Sequence, residues 1–187
     1  MNISDLYKKE ELYYNKYTDN IFSGQVDEGK EIGQIKDGFK EGFWKKILDE
    51  EGKEVLKGEY VKGKYHNEWI YLYDNKSRIT SVFEYGNLKE KKSFDNNNNL
   101  KSVSSYKDKD NYSTQWFKSN EDHETVLEKI EYVENGKLKT EKNFKFGELQ
   151  TIYHWTDDVC YLIEHYENGK LINKEKTEKH ISDNFFK

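Results

Sequence analysis

The segment Gly58-Glu59-Tyr60-Val61-Lys62-Gly63-Lys64-Tyr65 carries the glycine spacing and the lysine of a phosphate-binding loop. In such a loop the residue after the lysine must be Ser or Thr to hold Mg²⁺, and a helix must follow. Here that residue is Tyr65 and strand-like sequence follows, so the segment reads as a turn in a repeat. A second group, His154, Asp157, Asp158, Cys160 and His165, contains metal-ligating types. Its spacing fits no zinc pattern, and a hairpin would send alternate members to opposite faces. Cys160 could act as a nucleophile only with a base and a positive environment; His165 is near in sequence, but a small buried thiol is the simpler reading. The 36 acidic residues guarantee chance carboxylate pairs, so none is singled out. No nucleophile elbow, zinc-protease helix or dinucleotide fingerprint is present. The expectation is a protein without a catalytic centre, cofactor or metal.

Aromatic residues are the remaining candidates. Trp44, Trp69 and Tyr153 each follow a glycine by six positions, so stacked repeats would align them along one face. Alternation along 69–73 adds Tyr71 and Tyr73 to the side of Trp69, and alternation along 151–155 places Trp155 with Tyr153. These six rings form either a hydrophobic spine between hairpins or a solvent-facing strip of the kind that dominates interface hot spots. They are the candidate partner-binding residues: Trp44, Trp69, Tyr71, Tyr73, Tyr153 and Trp155.

The elements that must hold them are announced by turns. Asp37-Gly38, Lys62-Gly63, Tyr85-Gly86, Asn135-Gly136, Phe146-Gly147 and Asn168-Gly169 fall between segments rich in Tyr, Phe, Ile, Val and Thr. Glycine-containing pairs supply the positive φ of tight hairpins, and the intervening residues suit pleated strands. The glycines at 38, 63 and 86 recur at a spacing that marks a repeat architecture. The pattern predicts an all-β protein: an elongated, single-layer antiparallel meander of repeated hairpins with some 12–14 strands. Ser4 reads as the cap of a short helix from Asp5 to about Asn15, so residues 1–19 form an N-terminal cap segment. Repeats occupy 20–175, with a polar interruption at 107–127 that suggests a longer loop or a helical turn. Residues 176–187 form a charged tail.

Composition narrows the class of work. Apolar residues make up 34% of the 187, against roughly 45–50% in ordinary domains. Aromatics nonetheless reach 16%, and each enclosed ring buries ~150–250 Å². The chain therefore folds, around a thin core. The net charge is −5 with lysines and glutamates interspersed, which argues against a nucleic-acid face. A lone cysteine suits a reducing compartment, and no run approaches the ~20 apolar residues of a membrane span, so a cytoplasmic protein is expected. Oligomeric state stays open.

The lines Gly38-Phe39-Lys40-Glu41-Gly42-Phe43-Trp44, Gly63-Lys64-Tyr65-His66-Asn67-Glu68-Trp69, Glu134-Asn135-Gly136-Lys137-Leu138-Lys139 and Glu167-Asn168-Gly169-Lys170-Leu171-Ile172 resemble the MORN-variant repeat. The likeness covers about residues 20–175, and copies near 86–127 lack the second glycine and the regular tryptophan. It implies an extended sheet of stacked hairpins. Its bacterial branch also implies an antitoxin or immunity protein that binds and occludes a partner toxin, with no fixed catalytic residues to carry over. Two other readings remain open: a scaffold module for a cellular protein or membrane surface, and a carbohydrate-binding module that stacks sugars on its rings.

Overall fold

Two-residue turns set the architecture. At 37–38, 62–63, 85–86, 135–136, 146–147 and 168–169 both residues have positive φ, the signature of the tight hairpin turn whose twist matches that of its strands. The computed structural model describes residues 1–119, 124–157 and 159–180, with residues 179 and 180 described by backbone alone. Strands β1 (Leu6–Lys9) and β2 (Leu12–Asn15) form a separate hairpin. The main sheet begins with β3 (Gly24–Val26), β4 (Glu31–Lys36), β5 (Phe39–Ile47), β6 (Val55–Val61), β7 (Lys64–Leu72) and β8 (Arg78–Glu84). It continues through β9 (Asn87–Phe94), β10 (Leu100–Tyr106), β11 (Tyr112–Ser119) and β12 (Thr125–Glu134). It ends with β13 (Lys137–Lys145), β14 (Glu148–Thr156), β15 (Val159–Glu167) and β16 (Lys170–His180). All 14 strands follow chain order in one sheet, and the registers between successive strands are antiparallel. The all-β meander is therefore as expected.

The chain divides into two units, Met1–Lys89 with Asp95–Asn98, and Glu90–Phe94 with Asn99–Lys187. In the first, a core of Leu6, Val26, Ile35, Trp44 and Trp69 is flanked by Ile3, Tyr13, Phe22, Leu56, Tyr60 and Phe83. In the second, Trp155, Cys160 and Ile163 are buried against Leu138 and Tyr153. Turn glycines also tie neighbouring hairpins together within the first unit. Gly63 N–H donates to the Lys40 carbonyl at 2.9 Å, and Gly86 N–H to the Tyr65 carbonyl at 2.8 Å.

Three expectations need correction. The helix expected over 5–15 is absent: a 3-10 turn at Ile3–Asp5, capped by Asn2 rather than Ser4, leads into the β1–β2 hairpin. Glu10 and Glu11 both adopt positive φ, which reverses the chain where a helix would continue it. Long-range contact outweighs local propensity here, because the hairpin bonds to the sheet through Tyr13 N–H to the Gly38 carbonyl, 2.8 Å. The interruption expected at 107–127 is mostly regular strand. Asp108 Oδ1 accepts from Asp110 and Asn111 N–H and closes a tight turn from β10 into β11. Of that segment, residues 120–123 lie outside the described residues. The tail expected from 176 begins later, since β16 runs to His180; residues 181–187 lie outside the described residues.

Candidate functional site

The first unit places its rings by a device repeated in two hairpins. Between β4 and β5 the register steps from Ile32↔Lys45 to Gln34↔Glu41, so Gly33 alone faces Gly42, Phe43 and Trp44. Between β6 and β7 it steps from Lys57↔Ile70 to Glu59↔His66, so Gly58 alone faces Asn67, Glu68 and Trp69. Each bulge opens with a left-handed residue, Gly42 or Asn67. Each closes with a tryptophan laid flat over the opposing glycine. A Cβ built on Gly33 would sit 2.2 Å from the Trp44 ring, and one on Gly58 would sit 2.3 Å from the Trp69 ring. The indole N–H of Trp44 donates to the Gln34 carbonyl at 3.1 Å, and that of Trp69 to the Glu59 carbonyl at 2.9 Å.

That seating settles where two of the six expected rings lie. Trp44 and Trp69 are 2% and 4% exposed, and Trp155 in the second unit is 4% exposed. These three tryptophans are core, because each ring is enclosed by its own neighbouring strands, and they offer no surface to a partner. Tyr71, Tyr73 and Tyr153 are half-buried and keep part of each ring accessible. Tyr71 and Tyr73 lie with centroids 4.3 Å apart, and the Tyr71 hydroxyl donates to Glu54 Oε2 at 3.1 Å. Burial, then that carboxylate, raises the Tyr71 pKa, so the phenol stays neutral and a donor. Tyr65 continues the same face, stacked on Tyr60 at 5.0 Å and close to Phe83 at 5.2 Å.

Beside Trp44 lies a cation enclosed by rings. Lys40 Nζ stands 4.1 Å from the Trp44 ring centroid, 5.5 Å from that of Tyr60 and 5.8 Å from that of Tyr13 on β2. It also pairs with Glu31 Oε2 at 2.5 Å, while Lys46 meets the other oxygen at 3.0 Å. Burial lowers the Lys40 pKa, against the pull of Glu31. Burial pushes Glu31 upward, but the two lysine hydrogen bonds outweigh it and hold the carboxylate below its ordinary value. One ammonium thus joins the N-terminal hairpin to β4, β5 and β6. The arrangement is a structural clamp, with the cation's space filled from within the chain.

In the second unit a bulge brings together what alternation would separate. The β14–β15 register steps from His154↔Leu162 to Trp155↔Cys160, leaving Tyr161 unpaired. Cys160 thereby joins Ile163 and Trp155 in one buried cluster, and Tyr161 is pushed out to 49% exposure. The Trp155 indole N–H has no hydrogen-bond partner among the described residues. Of the imagined metal set, Asp158 lies outside the described residues. Cys160 is buried, Asp157 pairs with Lys137 at 2.5 Å, and no cluster of three ligating groups occurs among the described residues.

The nearest arrangement to catalytic chemistry surrounds Glu164. Its carboxylate receives Lys174 Nζ at 2.7 Å and the Tyr166 hydroxyl at 3.0 Å, with His154 Nε2 at 3.4 Å. The Lys174 hydrogen bond leads in pushing its pKa down to about 2; burial opposes, and Tyr166 and His154 add to the lowering. A carboxylate so saturated with donors stays ionised and is a poor proton carrier near neutrality. Another ring missed from sequence is Trp116, 39% exposed, inside the segment expected to be irregular. Its N–H donates to Glu131 Oε2 at 2.9 Å, and Lys129 Nζ meets Glu131 Oε1 at 2.6 Å. The regular alternation of Tyr112, Thr114 and Trp116 was the available signal.

Among the described residues no helix is long and apolar enough to cross a membrane. No protein-family model matches this chain, and no curated protein matches it either.

Proposed function

We propose that this chain is a non-enzymatic protein-binding repeat protein, and that it acts as an antitoxin or immunity protein. It would neutralise a bacterial toxin by occluding it with a preformed surface. The observation that carries the reading is the row of partly accessible rings, Tyr65 and Tyr71 on β7 and Tyr73 just past it, on a strand whose register against β6 is pinned by the buried Trp69. Rigid tyrosines supply large contact area at little ordering entropy, which is why they recur at interface hot spots. The resemblance to the MORN-variant repeat supports the same class of work. The saturation of Glu164 removes the most enzyme-like cluster from contention as a proton carrier.

The test is to co-express the product of the neighbouring gene with this chain and score growth. Relief of toxicity by the wild type, lost in Tyr71→Ala/Tyr73→Ala with Kd weakened at least tenfold, is the expected result. A neighbouring product that is toxic yet neither bound nor relieved would refute the inhibitor reading.

A further inference from the structure

Phe146 is the residue whose placement the fold itself does not explain. It occupies the first position of the β13–β14 turn with φ of 53°. The two-residue turns at 135–136 and 168–169 place Asn135 and Asn168 there. Asparagine tolerates the left-handed region, whereas a bulky ring in it is a genuine outlier. Strain of this kind persists where something else requires the side chain. The ring is also 82% exposed, more than any other large apolar side chain among the described residues. Its only ring contact among them is Lys145 Nζ, 5.7 Å from the centroid.

Tyr85 provides an internal comparison. It holds the same turn position with φ of 47°, but its ring lies 4.7 Å from that of His66 and its N–H donates to His66 Nδ1 at 3.4 Å. Its ring is used by its own fold. That of Phe146 has no such ring partner among the described residues.

The surroundings of Phe146 extend the apolar character. In the meander the β15–β16 turn lies at the same end of the second unit as the β13–β14 turn. Just past it stand Leu171 and Ile172, 44% and 61% exposed. The register steps from His165↔Asn173 to Tyr166↔Leu171, so Ile172 has no cross-strand partner and is displaced outward by the bulge. Charges flanking these two turns are balanced: Lys145 lies opposite Glu148, and Lys170 opposite Glu167. Among these described residues there is no surplus of lysine of the kind an anionic membrane would need.

We infer that Phe146, supported by Leu171 and Ile172, is an anchor that inserts into a concave apolar pocket of a protein partner. The inference rests on the protein-binding reading and adds a contact point remote in sequence from Tyr71 and Tyr73. A protruding ring ringed by balanced charge suits a pocket with a polar rim, where desolvation of the ring is complete.

The test uses the full chain as wild type, Phe146→Asn and Tyr85→Asn. Calorimetry should show Phe146→Asn melting about 2–4 °C higher, because asparagine relieves the turn, while Tyr85→Asn melts no higher than wild type. Peptides selected on the wild type from a naive phage-displayed library should bind Phe146→Asn at least tenfold more weakly and Tyr85→Asn unchanged. A lower melting temperature for Phe146→Asn overturns the inference, as do selected peptides indifferent to it. Pelleting of wild type, but not Phe146→Asn, with phosphatidylserine vesicles overturns it in favour of a lipid surface. Toxicity that co-expression does not relieve would remove the inhibitor reading alone, since the peptide and melting measurements do not depend on it.

Discussion

At the residue scale, the smallest side chains carry the most structural information. Gly33 and Gly58 have ordinary negative-φ backbones, so nothing local demands glycine. What demands it is the tryptophan ring lying where a Cβ would be. Gly58→Ala should therefore destabilise the chain by about 2–3 kcal/mol through overpacking, read from urea unfolding. Gly58→Ala/Trp69→Leu should destabilise by less than the sum of the two single changes, because the smaller side chain vacates the contested space. Strict additivity would show that the glycine is not a seat for the ring. The sequence carries a signal of this seat: Gly33 to Trp44 and Gly58 to Trp69 share one spacing. The turn glycines at 38 and 63 mark the hairpins, whereas Gly33 and Gly58 bury their rings.

At the scale of elements, the N-terminal hairpin shows how a segment with helical potential becomes a strand pair. Its turn, Glu10-Glu11, has φ of 48° and 69°, conformations that suit Asn-Gly and not two glutamates. Glu10→Asn/Glu11→Gly should raise stability by about 0.5–1 kcal/mol, measured as a shift of the urea midpoint. The change also deletes the Lys8–Glu11 ion pair at 2.6 Å, but that pair is largely exposed and such pairs contribute little. A loss of stability would mean that the ion pair, and not the turn geometry, governs this hairpin. The hairpin's value to the fold lies in Leu6, which joins Trp44 in the core, and Tyr13, whose ring lies beside the Lys40 ammonium. Neither contact is foreseeable from residues 1–19, since both depend on strands that come later in the chain.

For the molecule as a whole, acid should act through Glu164. Its folded-state pKa, about 2, is below the ordinary 4.5, so the stabilisation it provides is present above about pH 4.5. That contribution is lost progressively as pH falls from 4.5 toward 2. Unfolding measured across this range should show a shallower loss in Glu164→Gln than in wild type, and equal slopes would place the linkage elsewhere. The meander itself was legible in the amino-acid order because hairpins are local: turn pairs fix where the chain reverses, and period-two alternation fixes the strands between. Burial was not legible, because it depends on register. One bulge at Tyr161 puts Cys160 and Ile163, three apart, on the same face, and steps opposite Gly33 and Gly58 turn candidate interface tryptophans into core. Alternation counts residues along one strand, whereas enclosure depends on atoms contributed by strands ten or more residues away, and only the assembled chain brings those together.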